Sequence, residues 1–146
     1  MNKKGFTLIE LISVVIILTV ATAILMPNLV KYLNKNREES AKSIEKLLIT
    51  NLELYNTDKE QDLWNDNKTC ITVSIEELLE QNKNIDLGEC LLTNEKALTI
   101  TKENDTYKYY ANITCGKALE SMSTNKYILA YANKVYYKSD NIYKCE

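Results

Sequence analysis

From residue 6 to residue 26 the chain reads FTLIELISVVIILTVATAILM, and one letter of that run constrains everything else. Residues 7–26 are twenty positions without glycine or proline. At about 1.5 Å per residue they make a helix of about 30 Å, the thickness of bilayer hydrocarbon. Glu10 places a carboxylate inside that helix. An unpaired acid costs about 2–3 kcal/mol or more in lipid on insertion scales, so a segment kept only for anchoring gains nothing from it.

Three processing schemes compete for the N-terminus. A secretory signal peptide would use the basic start, the apolar run and Ala21-Thr22-Ala23 as a small-residue cleavage site. The apolar run, however, continues through Ile24, Leu25 and Met26, and Glu10 falls early in what should be an uncharged core. A plain membrane anchor matches the length and leaves Glu10 unexplained. The third scheme starts from the junction. Lys3-Lys4-Gly5 followed by Phe6-Thr7-Leu8-Ile9-Glu10 resembles the class III leader of type IV pilins and of the pseudopilins of type II secretion and competence systems.

The resemblance covers about the first 30 residues and reaches Pro27, which stands where the family usually has a helix-bending proline. It implies a leader of residues 1–5, cleavage after Gly5 by a prepilin peptidase, and N-methylation of Phe6. It also implies an inner-membrane platform protein, an assembly ATPase and a homo- or hetero-polymer of pilins as partners. The expected location is the cytoplasmic membrane as a single-pass protein before assembly, and an extracellular pilus or envelope filament after it. Cleavage creates an α-ammonium at Phe6, and two packed subunits can pair one chain's Glu10 with the neighbour's ammonium. Such a pair offsets desolvation only with good geometry, so it rewards correct register. Phe6, Glu10 and Pro27 are thus the expected assembly residues. The glycine that many pilins carry in mid-segment is missing between Glu10 and Pro27.

After Pro27 the chain turns amphipathic. Leu29, Leu33, Ala41, Ile44, Leu48, Leu52 and Tyr55 recur by threes and fours, with Lys31, Lys35, Arg37, Glu38 and Lys42 between them. The pattern predicts one helix over about residues 6–55, some 75 Å long. Residues 6–27 form its membrane and filament-core half, and residues 28–56 form a half with one apolar stripe.

Residues 57–146 are left for a globular head. Residues 56–70 are polar and read as a loop. Ser74 followed by Glu77 is a capping-box pattern that starts a short helix over residues 75–81. A hairpin follows, with strands at 97–102 and 107–114 around Glu103-Asn104-Asp105. Further strands are expected at 127–131 and 134–138, with a turn near Ala132-Asn133, and a short last one at 142–145. The class is α+β, with three or four strands in one antiparallel sheet packed on the helix, the pilin fold that the N-terminus implies.

A head of roughly 90 residues needs support beyond its own core. Cys70, Cys90, Cys115 and Cys145 all follow the apolar segment, where an exported domain would lie, and suggest two disulfides with three possible connectivities. The sequential pairing, Cys70–Cys90 and Cys115–Cys145, closes the shorter loops. No CxxC occurs, and no metal site or cofactor is expected.

Histidine is absent, which removes the commonest general base, and no enzyme is expected. Glu76, Glu77 and Glu80 read as a solvated helix face. A formal net charge of −2 lacks the cationic footprint of a nucleic-acid binder. The tyrosines at 107, 109, 110, 127, 131, 136, 137 and 143 read as strand residues with one buried face rather than as a binding surface. Asn67, Asn104 and Asn112 each begin a glycosylation triplet, which a chain so rich in asparagine yields by chance.

Overall fold

The computed structural model describes residues 5–120, 125–129, 131–140 and 145. The chain divides into two units, Met1–Arg37 and Glu38–Glu146. Helix α1, Leu8–Leu63, begins in the first and ends in the second, and it passes Pro27 without ending. Within the first unit the large apolar side chains stand exposed around the helix, among them Ile9, Ile16, Leu18 and Leu25. A helix apolar on every side has no core of its own. This one is long and apolar enough to cross a membrane.

In the second unit α1 buries Ala41, Leu48, Leu52 and Tyr55, one stripe at helical spacing. That stripe joins Val73, Ile75, Leu78, Leu98, Ile100 and Ile113 in a single hydrophobic core. Strand β1 is Cys70–Thr72, helix α2 is Ile75–Gln81, and β2 is Cys90–Leu92. Strands β3 (Leu98–Glu103), β4 (Thr106–Ala111), β5 (Ile113–Glu120) and β6 (Tyr131–Lys138) follow. They make two antiparallel three-stranded sheets, ordered β1-β3-β4 and β2-β5-β6. The architecture is α+β, a long N-terminal helix followed by two small sheets.

Several expectations are corrected. Helical backbone continues to Leu63 instead of stopping near Tyr55, but with a kink at Lys59, whose φ of −115° and ψ of 15° are not helical, and the stretch is held from within. The Asn56 amide is buried, donates to Tyr109 Oη at 3.3 Å and accepts from Trp64 Nε1 at 2.8 Å. There are two sheets and six described strands, where one sheet of three or four was expected. The expected strand over 107–114 is broken at Asn112, where the chain changes sheets: its N–H donates to Ala97 O, and its own carbonyl accepts from Thr93 N–H.

The turn at Ala132-Asn133 is absent, since those residues pair with Leu119 and Ala118 inside β6. The β5–β6 pairing has a register shift between Cys115 and Gly116. Of the strand expected at 127–131, among the described residues Ile128 makes an isolated bridge to Leu92 and Tyr131 opens β6. The last expected strand, at 142–145, lies outside the described residues except for Cys145, as do the leader residues 1–4.

The disulfides join Cys70 to Cys145 and Cys90 to Cys115, not Cys70 to Cys90 and Cys115 to Cys145 as expected. Loop length describes the unfolded chain, whereas the fold decides by register: Cys90 and Cys115 are directly opposed across β2 and β5.

The N-terminal helix start as candidate functional site

Residues 5–7 are irregular, and the helix starts immediately after them. The Gly5–Phe6 peptide bond therefore lies in non-helical backbone. A side chain at Gly5 would meet nothing within 4 Å, and Phe6 is 84% exposed.

Thr7 is the residue at which the helix begins, because Leu11 N–H donates to its carbonyl at 3.2 Å. Its hydroxyl oxygen accepts from Glu10 N–H at 3.3 Å. In return Glu10 Oε2 accepts from Thr7 N–H at 2.8 Å, and Thr7 Oγ1 lies 3.0 Å from the same oxygen. This is a reciprocal capping box, in which acid and hydroxyl satisfy each other's backbone donors. The acid also sits in the first turn, where the helix dipole favours negative charge. Sequence reading missed this box, although Thr7-Leu8-Ile9-Glu10 is the same T-x-x-E signal that Ser74 and Glu77 give as S-x-x-E.

The other polar side chains of the segment are hidden on the helix itself. Ser13 Oγ donates to Ile9 O at 2.7 Å, Thr19 Oγ1 to Ile16 O at 2.8 Å, and Thr22 Oγ1 to Thr19 O at 2.9 Å. Glu10 is left as the only ionisable side chain between Phe6 and Met26. Pro27 lies seventeen positions further along the same helix and brings no amide hydrogen to it. The four cysteines lie in the second unit as its two disulfides.

The head's tyrosines act as ties. Tyr55 Oη donates to Glu77 at 3.2 Å and Tyr136 Oη to Glu89 at 2.9 Å, while Tyr107 donates to Glu60 and Tyr137 to Glu45. Glu45 also accepts from Ser139 Oγ at 2.9 Å, so one carboxylate of α1 fixes the end of β6. Burial, reinforced by Glu77, pushes the Tyr55 phenol up to about 12. Burial and then the Glu45 hydrogen bond raise Tyr137 well above the ordinary tyrosine value. Of the glycosylation triplets, Asn67 and Asn104 are exposed and Asn112 is buried.

Residues 1–26 match the prokaryotic N-terminal methylation motif. Comparison with curated proteins and with solved structures finds no match. The motif implies processing by a prepilin peptidase and assembly into a polymeric filament with other pilins. Together with an apolar N-terminal helix it fits a membrane-anchored pilin precursor. A capped acid at the head of an otherwise apolar helix, joined to an α+β head of pilin-like architecture, identifies residues 1–26 as the class III signal peptide of type IV pilin-like proteins.

Proposed function

We propose that the chain is a structural subunit of a type IV pilus, cleaved after Gly5, N-methylated at Phe6 and polymerised through its N-terminal helix. The observation that carries this reading is Glu10, the single ionisable side chain of the apolar segment 6–26, whose Ser13, Thr19 and Thr22 hydroxyls are satisfied within the helix. Cleavage after Gly5 adds an ammonium at Phe6, and a neighbouring subunit's Glu10 supplies the counter-charge. The pair forms only in the correct stagger, so it selects register among helices that would otherwise slide. Pro27 supplies a bend point in the packed helices. Before assembly, residues 7–26 hold the subunit in the cytoplasmic membrane. The platform protein and assembly ATPase then draw it into the growing filament, with the head outward. The role is structural and not enzymatic.

The test is mass spectrometry of the N-terminal peptide of membrane-extracted protein. N-methyl-Phe6 is the expected terminus; Ile24 would indicate a signal peptide and Met1 a plain anchor, and either overturns the proposal. Abundance in filaments sheared from the cell surface is expected of a pilus subunit. Restriction to the envelope would assign the chain to a secretion or competence pseudopilin instead.

A further inference from the structure

In the second unit a cleft of about 350 Å³ opens beside the end of α1, within the range of about 300–1,000 Å³ typical of small-molecule sites. One wall is Trp64, the chain's only tryptophan. The indole is held from behind by its hydrogen bond to Asn56, and its ring packs on Tyr107 at 5.4 Å between centroids. Trp64 is nevertheless only half-buried. The aromatic wall is therefore fixed in orientation before any ligand arrives, which lowers the ordering cost of binding.

The rims are two turns. Asn67 stands on one; Asn104 and Asp105, the two-residue loop between β3 and β4, stand on the other. All three have left-handed backbone, with φ of 55°, 49° and 60°. In the β3–β4 loop, two successive positive φ values match a type I′ hairpin. Among the described residues the side-chain amides of Asn67 and Asn104 and the hydroxyl of Thr69, also on the cleft, have no hydrogen-bond partner. Each amide offers a donor and an acceptor.

The charges at the cleft are already balanced. Lys102 lies 5.9 Å from the Trp64 ring centre and pairs with Asp105 at 3.5 Å, and Lys68 pairs with Asp66 at 3.5 Å. A phosphate or carboxylate would have to displace an existing carboxylate from its lysine. An uncharged ligand with an apolar face and many hydroxyls would not. Its C–H face suits the aromatic wall, and its hydroxyls suit free amides and a carboxylate on opposed rims.

We propose that this cleft binds a neutral carbohydrate, the sugar ring lying on Trp64 and its hydroxyls bonded by Asn67, Asn104 and Asp105. This site does not depend on filament assembly, since every residue of it belongs to one chain. The test uses the full chain in a detergent without a sugar headgroup, titrated with cellotriose, N-acetylchitotriose and maltotriose while the emission of Trp64 is followed. At least one probe is expected to give a saturable change with a midpoint of about 1 mM, a free energy of about −4 kcal/mol. The variants Asn67→Gly and Asn104→Gly keep the left-handed turns while removing the amides. They are expected to raise that midpoint at least about fivefold, with far-UV circular dichroism unchanged. Absence of a saturable change with all three sugars overturns the proposal. So does an identical change in both glycine variants, or saturation by inorganic phosphate in preference to the sugars.

Discussion

Thr7 and Glu10 each complete the other: the threonine hydroxyl accepts the glutamate amide, and the glutamate carboxylate accepts the threonine amide. The acid that is costly in an apolar helix is thus occupied before a second subunit is present. Incorporation into a filament would exchange or extend this local arrangement. Glu10→Ala is expected to leave insertion and cleavage intact and to lower filament yield about tenfold or more, the equivalent of about 1.4 kcal/mol. Normal yield of sheared filaments from that variant would contradict the assembly role.

Thr7→Val keeps the side-chain shape and removes the capping hydroxyl. Loss of a cap costs about 1 kcal/mol of local helix stability. Hydrogen exchange of the amides at Glu10 and Leu11 in the micelle-bound chain should quicken about fivefold. An unchanged exchange rate would mean that the hydroxyl contributes nothing to the helix start.

Peptide mapping without reductant should recover two cross-linked species, one joining Cys70 to Cys145 and one joining Cys90 to Cys115. The bridges span 75 and 25 residues of sequence. On the chain-entropy account their removal costs about 4.5 and about 3.5 kcal/mol respectively. Cys145→Ala should therefore lower the denaturant midpoint more than Cys115→Ala lowers it through loop entropy. Recovery of a Cys70–Cys90 peptide would refute the pairing.

Asn56 joins α1 to both Trp64 and Tyr109 while itself 2% exposed. Asn56→Ala leaves the half-buried Trp64 indole N–H without its acceptor, at about 1 kcal/mol. Chemical denaturation followed through Trp64 emission measures it, and a loss below about 0.5 kcal/mol would show that water replaces the amide at no cost.

Raised phenol values make the head's stability fall at alkaline pH. Tyr55 moves from 10.0 to about 12, and Tyr137 and Tyr109 move in the same direction, burial being the largest cause in each. The unfolded chain therefore loses protons first as pH rises. The stabilisation is complete below the unfolded value of 10.0 and is lost between there and about 12. Melting temperature should be flat up to that point and then fall, with tyrosinate absorbance appearing at the fall. Tyr137→Phe should make the fall shallower.

What could be read from the sequence was local. The Ser74 and Glu77 pattern is a hydrogen bond in the structure, Glu77 N–H donating to Ser74 Oγ at 3.3 Å. The buried stripe of α1 was visible as spacing. The Thr7 and Glu10 box was equally legible, but the apolar run around it drew the acid's explanation outward to a neighbour. What escaped reading depends on distant partners. Strands β1 and β2 are three residues each, too short to show alternation, and exist because β3 and β5 hold them. Residues 56–63 look like a loop until Tyr109 and Trp64 reach Asn56. Asn112 looks like part of a strand until Ala97 and Thr93 claim its backbone.

The two bridges overlap in sequence so that the shorter one lies wholly inside the longer one. A protease that cuts the backbone once, anywhere between Cys70 and Cys145, leaves every residue attached to the same molecule. A nick in that stretch is a repairable wound in shape and not a release of fragments, and only reduction turns it into one. Where proteases are met and reductants are scarce, the outer bridge alone confers an endurance that its contribution to folding would not reveal.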